Sequence, residues 1–521
     1  VRGGIVIALI VAGTFSTLLL LRSIMEYSQP GPPIRQEILR SYGWYIAYAM
    51  GRLTFWAFVV SSGMAGLGVL VYGSIASLLG WRFRWYWALI AAGMGIGGIT
   101  LYAFLYQLFY LPGSIAAVFN YRLSRLYPLW EKLTPENLHV LAWGLGLAIA
   151  LPMALCALNL GRRGRLPKAA GLTVALVGSS ALVGFATHNP DAEPRTGLGS
   201  SDPARPNILM IGSDSLRADR LGILGYQRKL TPHIDALARK GTAFSQCYVP
   251  LGRTGPSLAT LLTGVWPHTH GYRDNFVADA DIALRVDSLP KALARAGYVS
   301  GAVGDWASGD LGKFDLGFDQ VDLPGDQWNA KYLMRQGPKD MRLFLTLFTH
   351  NRLGKALLPE LYYLAGVPLT EEVGRGSRHM VQTLAATGKP FFLNVFIAST
   401  HGPFSSAYPY YNMYANPKYR GESLFSLTRS STAEEVVEQQ GKDKRDFDVQ
   451  QMIDLYDGAT KSFDDEVARV LAFLERSGLA ANTIVIVYSD HGFDLFEQET
   501  WGQGNVLSDT AHRVPLVVFD P

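Results

Sequence analysis

Cysteine is nearly missing. Cys156 lies in an apolar run, Cys247 lies in the more polar half of the chain, and no others occur. A disulfide between two such different environments is not expected, and two thiols do not identify a redox compartment. Charge is scarce too. Asp, Glu, Lys and Arg make up 17% of 521 residues, low for a soluble protein, and the mean hydropathy is positive. Both point to membrane segments. The charge is also divided unevenly: residues 1–206 carry 16 Lys and Arg against 7 Asp and Glu, whereas residues 207–521 carry 31 against 36. An acidic second half argues against nucleic acid as a partner, and a basic first half suits an anchor beside anionic lipid. No internal repeat is evident. The length exceeds one ordinary core, so at least two domains are expected. Starting at Val1 and stopping at Pro521 just after an apolar run, the sequence reads as trimmed at both ends.

Long apolar runs are what the first half has in abundance. Five of them, at 3–21, 44–72, 85–109, 139–160 and 169–187, reach the roughly 20 residues needed to cross a bilayer. The first has no small-residue cleavage site and is followed by four more, so it reads as an anchor helix rather than a signal peptide. Small residues in the second and third runs (Ser61-Ser62-Gly63, Ala91-Ala92-Gly93) permit close helix packing, or reflect composition alone. Arg82, Arg84, Arg162, Arg163, Arg165 and Lys168 concentrate in short loops without acids. That puts those loops in the cytoplasm, with everything after residue 190 outside. Residues 110–138 read as an amphipathic helix on the outer face, with Tyr127 and Trp130 among headgroups, or as a polar connector. The expected division is a five-helix transmembrane domain over 1–187, a linker over 188–206 and an extracytoplasmic domain over 207–521.

In the second half, Asn207–Ile211 is a buried-strand run that stops abruptly at Gly212-Ser213-Asp214. A carboxylate then stands at the carboxyl end of a strand, where α/β sheets build their sites, although such an acid also serves as a turn former or cap. Thr483–Tyr488 is a second such strand, ending in Ser489-Asp490-His491. Between them, Ala243–Tyr248 alternates like a strand. In Arg253-Thr254-Gly255-Pro256, Pro256 suits the first helical position and Gly264 the far cap, so Thr254 falls at a helix start that favours anions. Asp214, Thr254, Asp490 and His491 offer oxygen and imidazole ligands of the kind that suit one divalent Zn or Mn ion. A helix over 450–477 has a core-facing apolar stripe. Residues 331–376 are polar-aromatic and helical in patches, without an evident role.

The order of PNILMIGSDSLRADRLGILGY, LTPHIDALARKGTAF, RTGPSLATLLTG, WPHTHG, THGPF, TIVIVYSDHG and HRVPLVVFDP resembles the sulfatase branch of the alkaline phosphatase superfamily. With five spans ahead of it, the chain is similar to membrane-bound members: phosphoethanolamine and phosphoglycerol transferases, and inner-membrane proteins that handle cardiolipin or lipopolysaccharide. The resemblance implies an α/β domain with a central, mostly parallel sheet, carried in a bacterial inner membrane with its catalytic side in the periplasm. It further implies Asp214, Asp490 and His491 as metal ligands, Thr254 as nucleophile and additional ligand, and His401 and His512 facing the phosphate or leaving group. His270 matches the WPHTHG motif, with a structural role favoured.

Departures from the sulfatase pattern bear on function. Thr254 replaces the Cys or Ser that becomes formylglycine, Leu258 an Arg, Ser215 an acid and Gln503 a His, and a Lys and a His are missing from the stretch Val303-Gly304-Asp305-Trp306-Ala307-Ser308. The expectation is therefore a metal-dependent phosphotransferase or phosphodiester hydrolase, acting on a membrane phospholipid or glycolipid headgroup. Two alternatives are a catalytically silent lipid-binding regulator within a membrane complex, and a sulfatase or phosphonate hydrolase. Arg217 and Arg253 are candidate phosphate clamps or local ion-pair partners, Arg217 with Asp219. Tyr408, Tyr410, Tyr411 and Tyr414 are candidates for binding an acyl chain or sugar, or for loop packing.

Overall fold

The computed structural model describes residues 2–28, 33–117, 123–199, 202–277, 282–327, 329–426, 444–504 and 507–521. These form two compact units, one of residues 1–110, 125–189 and 333–362, the other of 111–124, 190–332 and 363–521.

In the first unit the apolar runs become five helices, Arg2–Ser28, Pro33–Leu78, Trp85–Tyr110, Pro135–Arg162 and Leu166–Thr187. All are long and apolar enough to cross a membrane. Of the glycines in the second and third helices, Gly63, Gly66 and Gly93 meet nothing within 4 Å, whereas Gly68 and Gly95 pack closely. A Cβ on Gly68 would fall 2.0 Å from the Ala91 carbonyl oxygen, and one on Gly95 would fall 2.3 Å from that of Met64. Backbone thus meets backbone there, which only glycine allows. The segment over 110–138 is not one amphipathic helix. Its described parts are short turns at Pro112–Ala116, Leu123–Leu126 and Tyr127–Trp130, interrupted by prolines at 112, 128 and 135.

Part of the region without an evident role also finds its place here. Helix Lys339–Thr346 and its successor turns return to the helical unit, where Met341, Phe344, Leu345, Leu358 and Leu361 cluster with Leu53 and Ala57. Fully buried Glu360 pairs there with Arg52, and Asp340 pairs with Arg22 at 2.7 Å.

The second unit is built on β-branched and aromatic runs. Strands β1 (Asn207–Ser213), β2 (Thr242–Ala243), β3 (Val299–Gly304), β4 (Gln320–Asp322), β5 (Phe391–Ile397), β6 (Thr483–Tyr488), and β9 (Leu516–Phe519) form one sheet; β7 (Asp494–Leu495) and β8 (Trp501–Gly502) pair apart from it. The order is β2-β9-β6-β1-β5-β3-β4, with β6, β1, β5, β3 and β4 parallel and β9 antiparallel to its neighbours. This is an α/β domain with a mostly parallel central sheet. β1 and β5 are buried almost throughout, as strands covered on both faces must be. The strand expected over 243–248 shrinks to β2. Beyond it Phe244, Cys247 and Val249 still pair with backbone of 512–516, but irregularly. Helix Val449–Arg476 buries its apolar stripe of Met452, Leu455, Ala459, Phe463, Val467 and Val470.

Gly212 on β1 lies against the ring of Tyr488, where a Cβ would fall 2.4 Å from ring carbon Cζ. The Tyr488 hydroxyl donates to Asn394 Oδ1 at 2.8 Å, so the ring cannot swing aside freely. Gly212→Ala should lower stability by about 1–3 kcal/mol, read as a lower melting temperature of the detergent-purified protein.

Candidate active site

β1 and β6 are parallel neighbours, with Gly212 opposite Tyr488. The residues that follow each strand therefore emerge side by side at the carboxyl edge. Backbone bonds fix them there. Asp214 N donates to the Ile397 carbonyl at 2.8 Å, Thr400 Oγ1 to the Asp214 carbonyl at 2.6 Å, and Ser489 Oγ to the Ser213 carbonyl at 2.7 Å. Ser215 adopts a left-handed φ of 66°, costing on the order of 1–3 kcal/mol. In that conformation its N–H reaches Asp490 Oδ1 at 3.1 Å and its hydroxyl reaches Asp214 Oδ1 at 2.8 Å. Ser215 thus holds both carboxylates in place.

Thr254 is the first residue of helix Thr254–Thr263, which Gly264 ends in a left-handed cap. Ser257 Oγ donates to the Asp490 carbonyl at 2.6 Å and tethers the helix start to the end of β6. Thr254 Oγ1 then lies 3.4 Å from both Asp214 Oδ2 and His491 Nε2. His491 Nδ1 donates to the Gly492 carbonyl at 2.8 Å, an acceptor only, so Nε2 is the nitrogen that faces the carboxylates. Nε2 is 3.3 Å from Asp490 Oδ2 and 3.6 Å from Asp214 Oδ1. All four groups are buried. Burial, reinforced by the Asp490 charge, holds the Asp214 carboxyl well above the usual range. Asp490 Oδ2 has no hydrogen-bond partner among the described residues. Two buried carboxylates, one of them with an orphaned oxygen, and an imidazole nitrogen turned towards them make a donor set that fits a divalent cation, and their ligand atoms lie within 4.8 Å of one another.

The other sequence candidates separate. His401 follows β5, meets the Trp306 ring edge-on at 4.8 Å, and has its pKa lowered by burial against the opposing influence of Gly402 and Asp490. It lies near enough to Asp490 to feel that carboxylate's charge. His512 lies beside Gly252, two residues before Thr254, and its Nδ1 is 3.3 Å from the Ser508 carbonyl. His270 is a buttress, with Nε2 3.0 Å from Thr260 Oγ1 and Nδ1 accepting from Tyr272 N at 3.2 Å. Arg217 is consumed by Asp219 and Glu497, each at 2.6 Å. Arg253 has no such partner among the described residues. The tyrosines pack: Tyr411 is buried against Phe425, Tyr410 donates to Asp465 at 2.9 Å, and Tyr414 lies under Arg228.

Asp305 is a cap, accepting from Ala398 N at 3.0 Å, Leu369 N at 3.0 Å and Ala307 N at 3.4 Å. Gln503 joins the site, its Oε1 accepting from Ser215 Oγ at 3.3 Å. Sequence reasoning passed over Asn275, whose Oδ1 accepts from Gly255 N at 2.8 Å; a lone Asn on an irregular loop gives no signal. A second acidic group, His233, Asp464 and Asp465, is explained by Asp464 accepting from His233 N and Ile234 N at the start of helix Pro232–Lys240.

Residues 206–521 match the sulfatase family, which is more than half of the chain. The chain belongs to the sulfatase family. The mouse N-acetylgalactosamine-6-sulfatase is 27% identical over 337 residues, covering 59% of this chain and 54% of that protein. The multifunctional alkaline phosphatase superfamily protein PehA of Trinickia caryophylli is 26% identical over 360 residues, covering 61% and 68%. Among solved structures, the phosphonate monoester hydrolase of Agrobacterium radiobacter superposes with a TM-score of 0.44 at 22% identity, covering 61% and 68%. The chain spans about half the length of the N-acetylgalactosamine-6-sulfatases it matches. Enzymes of this superfamily use a divalent metal, and Asp214, Asp490 and His491 form a group able to hold one.

A cation bound only by the folded state adds about 2.7 kcal/mol at 100 times its Kd. Mn²⁺ or Zn²⁺ should therefore raise the melting temperature of the chelator-treated protein. Asp490→Asn should abolish that rise, and metal analysis should find the variant depleted of ion.

Proposed function

We propose that this sulfatase-family protein is a membrane-anchored, metal-dependent phosphotransferase or phosphodiester hydrolase that attacks an envelope lipid headgroup through Thr254. The observation that carries the reading is the buried Thr254 hydroxyl, at a helix start, 3.4 Å from both Asp214 and His491. Asp214, Asp490, His491 and Thr254 would hold one Zn or Mn ion. Such an ion lowers the pKa of a bound hydroxyl and offsets charge on phosphoryl oxygens.

The rest falls to the protein. Gly255 N is spent on Asn275, and Pro256 has no N–H, so the helix start alone is a poor anion cradle. Arg253, half-buried and without a carboxylate partner among the described residues, supplies the fixed positive charge for the phosphoryl group. Thr254 Oγ1, its proton released to solvent, attacks phosphorus in line, the bond to the leaving oxygen breaks, and His512 in its protonated form gives that oxygen a proton. His401, which burial keeps neutral at neutral pH, accepts a proton from the water or acceptor hydroxyl that then cleaves the phospho-threonine ester. Tethering to five apolar helices in a bacterial inner membrane, with the α/β domain on the periplasmic side, raises the effective concentration of a lipid donor.

A second reading, a silent lipid-binding subunit of a membrane complex, has Gln503 in its favour, because this side chain occupies the edge of the ligand set through Ser215. The two readings part on one experiment. With Mn²⁺ or Zn²⁺, the wild type should hydrolyse phosphodiesters and carry a phosphate-sized adduct on Thr254 after rapid quench. Thr254→Ala should lose roughly 1,000-fold or more in rate, and Arg253→Ala should raise KM about 10-fold. A metal-loaded wild type without turnover or adduct points to the silent subunit.

A further inference from the structure

One buried carboxylate beside the site serves neither the fold nor the chemistry above. Asp310 lies in the first turn of the short helix Gly309–Lys313 and is 2% exposed. Neither of its oxygens has a hydrogen-bond partner among the described residues. An acid there ordinarily caps the helix or pairs with a nearby cation. Asp310 does neither. Lys313, the adjacent base, is paired with Asp326 at 3.1 Å and donates to the Asn275 carbonyl at 3.1 Å.

Asp310 instead overlies the backbone next to Thr254: a Cβ on Gly255 would fall 2.9 Å from its Oδ2. Two further buried polar atoms on neighbouring segments lack partners among the described residues. One is Trp306 Nε1, whose ring meets His401. The other is Gln327 Oε1, on a loop that packs against Gly309. Burial, with Asp326 and Asp490 acting against Lys313, raises the Asp310 pKa to about 7, a measure of what isolating the group costs. Three acceptor oxygens, two of Asp310 and one of Gln327, lack a protein donor among the described residues, against one donor, Trp306 Nε1, that lacks an acceptor, so the balance favours a ligand that brings hydrogen-bond donors.

We propose that Asp310, backed by Gln327, is the acceptor wall for the leaving group, so that the enzyme selects esters whose departing alcohol bears a donor near the scissile oxygen. An ammonium and a second hydroxyl share that chemistry, and plain alkyl alcohols lack it. The inference rests on the Thr254 reading above, because Gly255 places Asp310 beside that nucleophile.

The test uses the full-length, Mn²⁺- or Zn²⁺-loaded protein and four symmetric diesters: bis(2-aminoethyl), bis(2-hydroxyethyl), diethyl and bis(p-nitrophenyl) phosphate. Wild type should favour one or both donor-bearing diesters over diethyl phosphate by about 10- to 100-fold in kcat/KM. Preference for the aminoethyl ester alone assigns an ammonium, and preference for both assigns any donor. Asp310→Asn should collapse the ratio, and Gln327→Leu, the independent variant, should reduce it. A wild type without preference, or variants that slow all four diesters in parallel with the ratio intact, would overturn the inference. No turnover by metal-loaded wild type of any diester, the activated aryl one included, would instead sink the Thr254 reading, and this inference with it.

Discussion

The parallel pairing of β1 with β6 is the constraint on which the rest of the site depends. Because Gly212 lies opposite Tyr488, the first residues beyond both strands occupy the same edge at the same height. β5 lies on the other flank of β1 and β3 beyond it, so four adjacent parallel strands discharge at one rim. From that rim come Asp490 and His491, Asp214, His401, and the Asp305–Asp310 stretch. Parallel strands need no special loop to converge their termini, since direction and register alone bring residues far apart in sequence together. The Thr254 helix is then added by a separate tether, through Ser257 to the Asp490 carbonyl.

Burial makes this rim demanding. Every carboxylate there has lost water, and each must be compensated. Asp305 is compensated by three backbone donors and pins the ends of β3 and β5. Its presence therefore reports on local folding and says little about lost chemistry. Asp214 and Asp490 share the Ser215 donors and are left with a mutual repulsion that a cation would relieve. Asp310 has no protein donor among the described residues. Three degrees of compensation thus separate an architectural acid, a pair able to hold a cation and an acid without a protein partner among the described residues.

The same logic separates the two arginines. Arg217 and Arg253 look alike as sequence, each next to a site motif. Arg217 is neutralised by two carboxylates, one of them Glu497, 280 residues away, whereas Arg253, next to Thr254, has no carboxylate partner among the described residues. Gly68 and Gly95 show the corresponding case in the helical unit, where composition alone left packing and accident equally open and backbone contact resolved it.

Much was legible before any coordinates: the five apolar runs, the strand-end acids, the helix start at Thr254 and the motif order of the sulfatase family. These are local signals, because hydrophobic length, periodicity and turn residues act over a few neighbours in the chain. The return of residues 333–362 to the helical unit, the structural use of Asp305, His270 and the tyrosines, and the isolation of Asp310 were not legible. Each depends on which partner a buried polar or apolar group meets across the fold, and no local pattern encodes that. Sequence by itself determined the parts and the edge at which the chemistry sits. Only the tertiary structure decided which charges are spent on the fold and which remain for a ligand.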